Sequence, residues 1–510
     1  MKGMSVDIKN NGFGLIAAGI ASLAALFIFW GYQYGTENHA IVVPFLKKFI
    51  NPGLYPADYL IGQKPFFFNY FWDFLGAIVK YTAIPITILF FGSYLAALFL
   101  FFFVFYLIAQ QIFADRRISL LAMAILLVSP FNPLGGTETF GASLANQTAS
   151  IPLCLMAIYF FLKNHYFRGF ILTGIAFYIH PLSAFYTFII LCAGLYLSPQ
   201  YIERKTLFFT PLLFMVIVCP LGFKRIANAP VSLNFFYADP VWLKLLHMRS
   251  GGHIDILLMG CGTLIKFVLL IVFFIWSLKY KPHGETHRVV MIFVRTIFVL
   301  CAAAFFFTEV IPCTFIVQMQ FFRSSQFFFY FALVYIANAL VRDYPAANPR
   351  RRFIILVVAI ILCASGIRPR IFMIDNAQNK DWISAQLWAR EHTQIDSVFI
   401  TPPELEGFRI ESERTTYAEY KDGTQMFFNP GFGKEWFARM QKLGFKNPGT
   451  IRADYQKLSE NDFQRIAAQI DGIKRPIFVV RHFDTRMLRF PVVYRDAGFT
   501  IYKIDLGQGI

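Results

Sequence analysis

Residues 13–49 read FGLIAAGIASLAALFIFWGYQYGTENHAIVVPFLKKF, an apolar run followed at once by an acid, a histidine and a second apolar piece ending in two lysines. A helix needs about 20 apolar residues to cross the hydrocarbon core, and the run from Phe13 to Trp30 comes close to that length. No small-residue cleavage site follows it, so it reads as a retained first transmembrane helix. Glu37 comes six residues after that helix, at the membrane surface. A carboxylate costs on the order of 2.5–3.5 kcal/mol at mid-membrane and less at a helix end, so it needs either a partner or a use.

The rest of the chain extends this pattern. Of its 510 residues 57% are hydrophobic, 18% aromatic and only 15% charged, too little polar surface to cover a soluble globule of that size. Apolar windows lie at 13–31, 82–110, 118–131, 146–162, 168–181, 183–198, 206–222, 256–278, 289–308, 325–341 and 352–366, which predicts about 11 transmembrane helices. Three of these windows are short. The connections carrying ADRR, KNHYFR, IERK, KYKPHGETHR and VRDYPAANPRRR are basic and fall after every second helix. The positive-inside rule assigns them to the cytoplasm, with the amino terminus inside and the carboxyl-terminal region outside.

Near residue 367 the usage turns to that of an ordinary aqueous domain, which separates a transmembrane domain, 1–366, from an extracytoplasmic domain, 367–510. In the latter, DWISAQLWAREH, GKEWFARMQKLG and ENDFQRIAAQIDG have helical spacing, while SVFITPP and RPIFVVRHF read as strands, a small α/β fold. Of the 47 Lys and Arg, 21 lie in 367–510 against 18 acids there, so the net +17 sits mostly in the membrane part. Its meaning there is topology and contact with lipid headgroups, with no nucleic-acid partner. The seven cysteines all precede residue 364 and make no secreted-type framework. No HExxH, paired CxxC or glycine-rich phosphate loop occurs, which removes zincin, redox and P-loop chemistry.

Under this topology the outer acids of the membrane part are Glu37, Asp58, Asp73, Glu138, Asp239, Asp255 and Glu309. Glu37, beside Asn38 and His39, and Asp58, in the turn-rich NPGLYPADYL, share the first outer loop and are the catalytic candidates. Glu138 lies in NPLGGTETFGASLANQT, a loop without a Lys or Arg. His39 and His180 could bind a metal or a phosphate. Arg323, with Gln320 beside it, offers a permanently charged planar fork suited to a lipid phosphate. Each also has an ordinary structural reading, as an interfacial charge, a packed histidine or a headgroup anchor.

A first outer loop that opens with an acid and precedes ten further helices resembles the GT-C superfamily of membrane glycosyltransferases. The segment WISAQLWAREHTQIDSVFITPPELEGFRIESERTTYAEYK, residues 382–421, is similar to a pattern in GT-C-related bacterial membrane proteins of uncharacterised function. The resemblance implies a catalytic base at Glu37 and a polyprenyl-phosphate-linked sugar donor. It also implies membrane-lipid contact and an inverting transfer at the outer face of a bacterial inner membrane, with residues 367–510 in the periplasm. A divalent metal is left open. TENH holds one acid where many relatives have two adjacent, and no tryptophan-rich acceptor motif like that of the oligosaccharyltransferases is present. Two other readings stand beside the enzyme: a carrier of lipid-linked glycan, and a non-enzymatic subunit of a larger membrane-protein assembly.

Overall fold

Sustained hydropathy becomes helix along the chain. The computed structural model describes residues 12–67, 69–129, 134–136, 138–198, 202–228, 234–282, 284–346, 349, 380–470, 475–483 and 487–504. Among these, six helical segments are long and apolar enough to cross a membrane: Gly12–Phe29, Ile86–Phe113, Arg204–Ala227, Cys261–Tyr280, Glu285–Val310 and Thr314–Asp343. The chain is thus a multi-pass membrane protein. Asn146–Leu162, Tyr166–Ile179 and Pro181–Leu197 are apolar but shorter, and the window at 118–131 forms the 13-residue helix Arg116–Val128. At 1.5 Å per residue, 13 to 17 residues reach only about 20–26 Å against a core of about 30 Å, so these windows do not count as spans by length. The expected eleventh window, 352–366, and the expected domain boundary at 366/367 lie outside the described residues.

The chain divides into two units that are not continuous in sequence. The first comprises Met1–Tyr32, Thr87–Lys224 and Gly251–Asp375; the second comprises Gln33–Ile86, Arg225–Ser250 and Asn376–Ile510. The long apolar helices belong essentially to the first. The loop after the first helix groups with the terminal domain, a division that a linear boundary near 367 does not contain.

In the second unit, the loop after the first helix turns into the helix His39–Ile50, whose last turn carries Lys47 and Lys48, the sign that suits a helix carboxyl end. Ile41 and Phe45 of this helix pack with Leu54, Tyr55, Leu60 and Ile61 into a core of the loop's own. The terminal domain is a mixed five-stranded sheet with helices: β1 (Val398–Ile400), β2 (Thr415–Thr416), β3 (Ile477–His482), β4 (Val492–Arg495) and β5 (Phe499–Ile504), in spatial order β2-β1-β3-β5-β4. β1 runs parallel to β2 and β3, while β5 pairs antiparallel with β3 and β4. The helix Lys380–His392 buries Trp382, Ala385, Gln386 and Ala389, the spacing of one helical face. Trp382, Ala385 and Ala389 pack on Phe399, Phe408, Phe478, Val480, Phe499 and Ile501 of the sheet and its connections. Ser459 caps Glu460–Gln469 in a reciprocal box with Asp462.

Candidate active site

The turn that carries Glu37 is held in an unusual backbone conformation. Glu37 has φ 51°, in the left-handed region that costs a residue with a Cβ, and Gly35 has φ 82°. The buried His39 imidazole lies beneath: its Nδ1 accepts from the Gly35 N–H at 3.0 Å, and its ring packs 5.3 Å from that of Tyr34. The His39 N–H donates to the Thr36 carbonyl, and the Ala40 N–H to that of Glu37. The Glu37 N–H donates to Glu406 Oε1 at 2.5 Å. The Glu37 side chain is exposed, and its carboxylate has no hydrogen bond or ion pair with the described residues.

Asp58, the other acid expected of this loop, is enclosed. Its Oδ2 accepts from Arg409 Nε at 2.8 Å and from the Thr416 N–H at 3.2 Å, and its Oδ1 from the N–H groups of Leu60 and Ile61. Arg409, with no exposed side-chain surface, also donates to Asp422 at 3.0 and 3.1 Å and lies 3.6 Å from Glu419. Tyr59 donates to Asp422 Oδ2 at 2.8 Å, and Tyr55 to the Arg409 carbonyl at 2.9 Å. Three carboxylates thus surround one guanidinium out of water. Burial raises Glu419 to about 8, against the opposing pull of Arg409 and of the Gly407 N–H. Burial raises Asp422 as well. The cluster therefore holds part of its negative charge as bound proton near neutral pH.

Lys421 lies near Glu37 and Glu406. Burial lowers its pKa, the nearby charges of Glu406 and Glu37 oppose that, and Arg249 reinforces it. Arg249 donates from Nε to the Tyr420 carbonyl at 2.9 Å and stacks 4.3 Å over the Tyr420 ring.

Arg323 of the first unit has a different environment. It donates from Nη1 to Gln320 Oε1 at 3.0 Å and from Nη2 to Gln147 Oε1 at 3.2 Å. Its Nε is out of solvent with no acceptor, and no carboxylate pairs with it among the described residues. Gln147 in turn donates to Gln326 at 2.7 Å, and Gln326 donates to the backbone of Glu138 and Thr139. Gly135, at φ 90°, presses on the arginine so closely that a Cβ there would meet Arg323 Cγ at 2.8 Å. The Glu138 side chain is exposed. His180 caps the helix Pro181–Leu197, its Nδ1 lying 2.7 Å from Ser183 Oγ and accepting from the Ser183 N–H. Asp255 and Glu309 place carboxylate oxygens within 4.8 Å of each other, a spacing at which two carboxylates can share a divalent cation.

Of the residues expected from sequence, Glu37, His39 and Asp58 thus belong to the second unit, and Glu138, His180, Gln320 and Arg323 to the first. Gln320 and Arg323 are in direct contact. Sequence reasoning did not single out Glu406, Arg409, Glu419, Asp422, Lys421 or Gln147. Glu406, Arg409, Glu419 and Lys421 lie in the quoted 382–421 segment, where an arginine among alternating acids was the available signal.

The fold is similar to those of solved membrane proteins. The crystal structure of apo ArnT from Cupriavidus metallidurans superposes with a TM-score of 0.51 at 11% identity, over 98% of this chain and 98% of that one. The oligosaccharyltransferase AglB from Archaeoglobus fulgidus is also similar: a complex with an inhibitory peptide and a dolichol-phosphate gives a TM-score of 0.47 at 13% identity, over 94% of this chain and 70% of that one. Residues 380–443 match a family model described as a domain of unknown function, DUF6798. No curated protein sequence matches the chain significantly.

Proposed function

We propose that this protein is an inverting membrane glycosyltransferase that moves a sugar from a polyprenyl-phosphate-linked donor to an acceptor hydroxyl. It works at the outer face of a bacterial inner membrane, with the amino terminus in the cytoplasm and the terminal domain in the periplasm. The observation that carries the reading is Glu37: an exposed carboxylate with no hydrogen bond or ion pair among the described residues, held in a strained turn after the first helix of a chain whose fold is similar to that of ArnT. In the reaction the acceptor oxygen bonds to the anomeric carbon as the bond from that carbon to the phosphate oxygen breaks. Glu37 takes the acceptor proton, and polyprenyl phosphate leaves. Within the first unit, Arg323, positioned by Gln320 and Gln147 and with no carboxylate partner among the described residues, is the cation this reading gives to a lipid phosphate. His180 and Glu138 belong to the same donor seat in this reading, and His39 supports the turn of the base. Asp58, with both oxygens engaged, serves as a loop anchor.

Glu37→Gln is nearly isosteric and removes the proton acceptor. Transfer should fall by about 10² to 10⁴ while thermal stability in detergent stays near wild type. Full glycan product in cells carrying only this variant would rule out the enzyme and favour a non-enzymatic subunit.

A further inference from the structure

The proposed base is on the first outer loop, yet the group that fixes its backbone comes from the terminal domain. Glu406 and Arg409 stand three residues apart in the segment ELEGFR, on either side of Gly407, whose φ of 83° turns the chain between them. Glu406 accepts from the N–H of Glu37, and Arg409 binds the carboxylate of Asp58. One short segment of the 380–443 family domain thereby grips the loop at both ends. Further bonds run the same way: Lys47 donates to the Ile410 carbonyl and pairs with Glu413 at 2.8 Å, and Thr415 Oγ1 donates to the Pro56 carbonyl. The segment is itself secured at the sheet, where Glu404 Oε1 lies 2.8 Å from His482 Nε2 at the end of β3.

A residue with a Cβ in the left-handed region carries about 1 kcal/mol or more of strain and persists only where its surroundings over-determine it. For Glu37 those surroundings are His39 on one side and Glu406 on the other. We infer that Glu406 is a positioning residue: its carboxylate holds the Glu37 turn in the conformation that presents the base, and presenting that turn is a function of this family domain. The inference rests on the assignment of Glu37 as base.

Hydrogen–deuterium exchange on the full-length protein in detergent tests it, together with transfer kinetics. Glu406→Ala removes the acceptor and should speed exchange in peptides covering 33–40 by tenfold or more, with peptides over β1 and β3 unchanged. Glu406→Gln keeps a carbonyl acceptor at the same reach and should restore wild-type protection. In parallel, Glu406→Ala should lower kcat at least tenfold with donor KM unchanged, and Glu406→Gln should rescue it. Unchanged protection at 33–40 in Glu406→Ala overturns the inference, as does faster exchange that extends equally through the sheet. Faster exchange at 33–40 with kcat intact overturns it too, since the turn would then be held without consequence for the chemistry. If the wild-type protein shows no transfer at all, the glycosyltransferase reading fails, and the exchange measurements alone decide whether Glu406 holds the turn.

Discussion

Two arginines in this chain are removed from bulk water in opposite ways. Arg409 is enclosed by three carboxylates and a tyrosine-bound aspartate among them, and every one of these groups has further hydrogen bonds inside the protein. Among the described residues Arg323 donates to amide oxygens and keeps one N–H without an acceptor. Both cost desolvation, but the first is compensated, even over-compensated, by protein charge, whereas the second is left one negative charge short. A guanidinium with its counter-charges built in has a structural task. One without a counter-charge among the described residues is the one the proposed reading gives to an anion, and the count of acids, not burial, separates the two.

The largest effect should come from removing the compensated cation. Arg409→Met leaves buried acids without their partner, and loss of one member of a buried ion pair costs about 3–5 kcal/mol. Its unfolding midpoint in detergent should fall far below that of Arg323→Met, which breaks no ion pair; equal losses would break the contrast. Next in size, Arg323→Met should weaken binding of farnesyl phosphate, a short polyprenyl phosphate, by about tenfold or more. Arg323→Lys should recover only part of it, because an ammonium keeps the charge but not the fork. Affinity unchanged in both variants would leave Arg323 a packing residue.

The smallest effect is a slope. Glu419 titrates near 8 in the folded protein, above the ordinary value of 4.5, so the folded state binds more protons than the unfolded state between those values. Its contribution is therefore fully present below about pH 4.5 and is lost as the pH rises toward 8, at no more than about 1.4 kcal/mol per unit. Glu419→Gln should lower stability at pH 5, where one of the two backbone donors of Gly407 and Phe408 loses its acceptor, and should flatten the decline toward pH 8. A decline as steep as in the wild type would place the titrating proton elsewhere.

Local patterns were legible in the sequence because they depend on near neighbours. The helix Lys380–His392 and the strands β1 and β3 stand where the spacing of apolar residues put them, and the apolar windows within the described residues became helices. Six of the expected crossings reach spanning length among the described residues; the shorter apolar helices leave the count of about 11 unconfirmed. The β4 and β5 pair was missed: β4 is largely exposed, and its register slips between Val492 and Tyr494, so it lacks a regular alternation. The proposed site rests on the parts that sequence position marks. Glu37 is marked by its position after the first helix, whereas Asp58 looked equally available and is enclosed. What distinguishes them is a partner more than three hundred residues away, and no spacing rule reports that.

That remoteness has a consequence for how the protein is made. The bond from Arg409 to Asp58 joins residues 351 positions apart. At a synthesis rate of about 5–20 residues per second, Asp58 is made roughly 20–70 s before the residue that neutralises it exists. Throughout that interval the first outer loop has its own small apolar core but neither of its clamps. Premature termination between residue 343 and Glu406 yields a chain that has its described apolar helices but lacks the Glu406 acceptor for the Glu37 N–H and the Arg409 partner of Asp58. In the reading proposed above, the last-made domain therefore completes the turn of the first-made loop, and truncated copies lacking it should not transfer sugar.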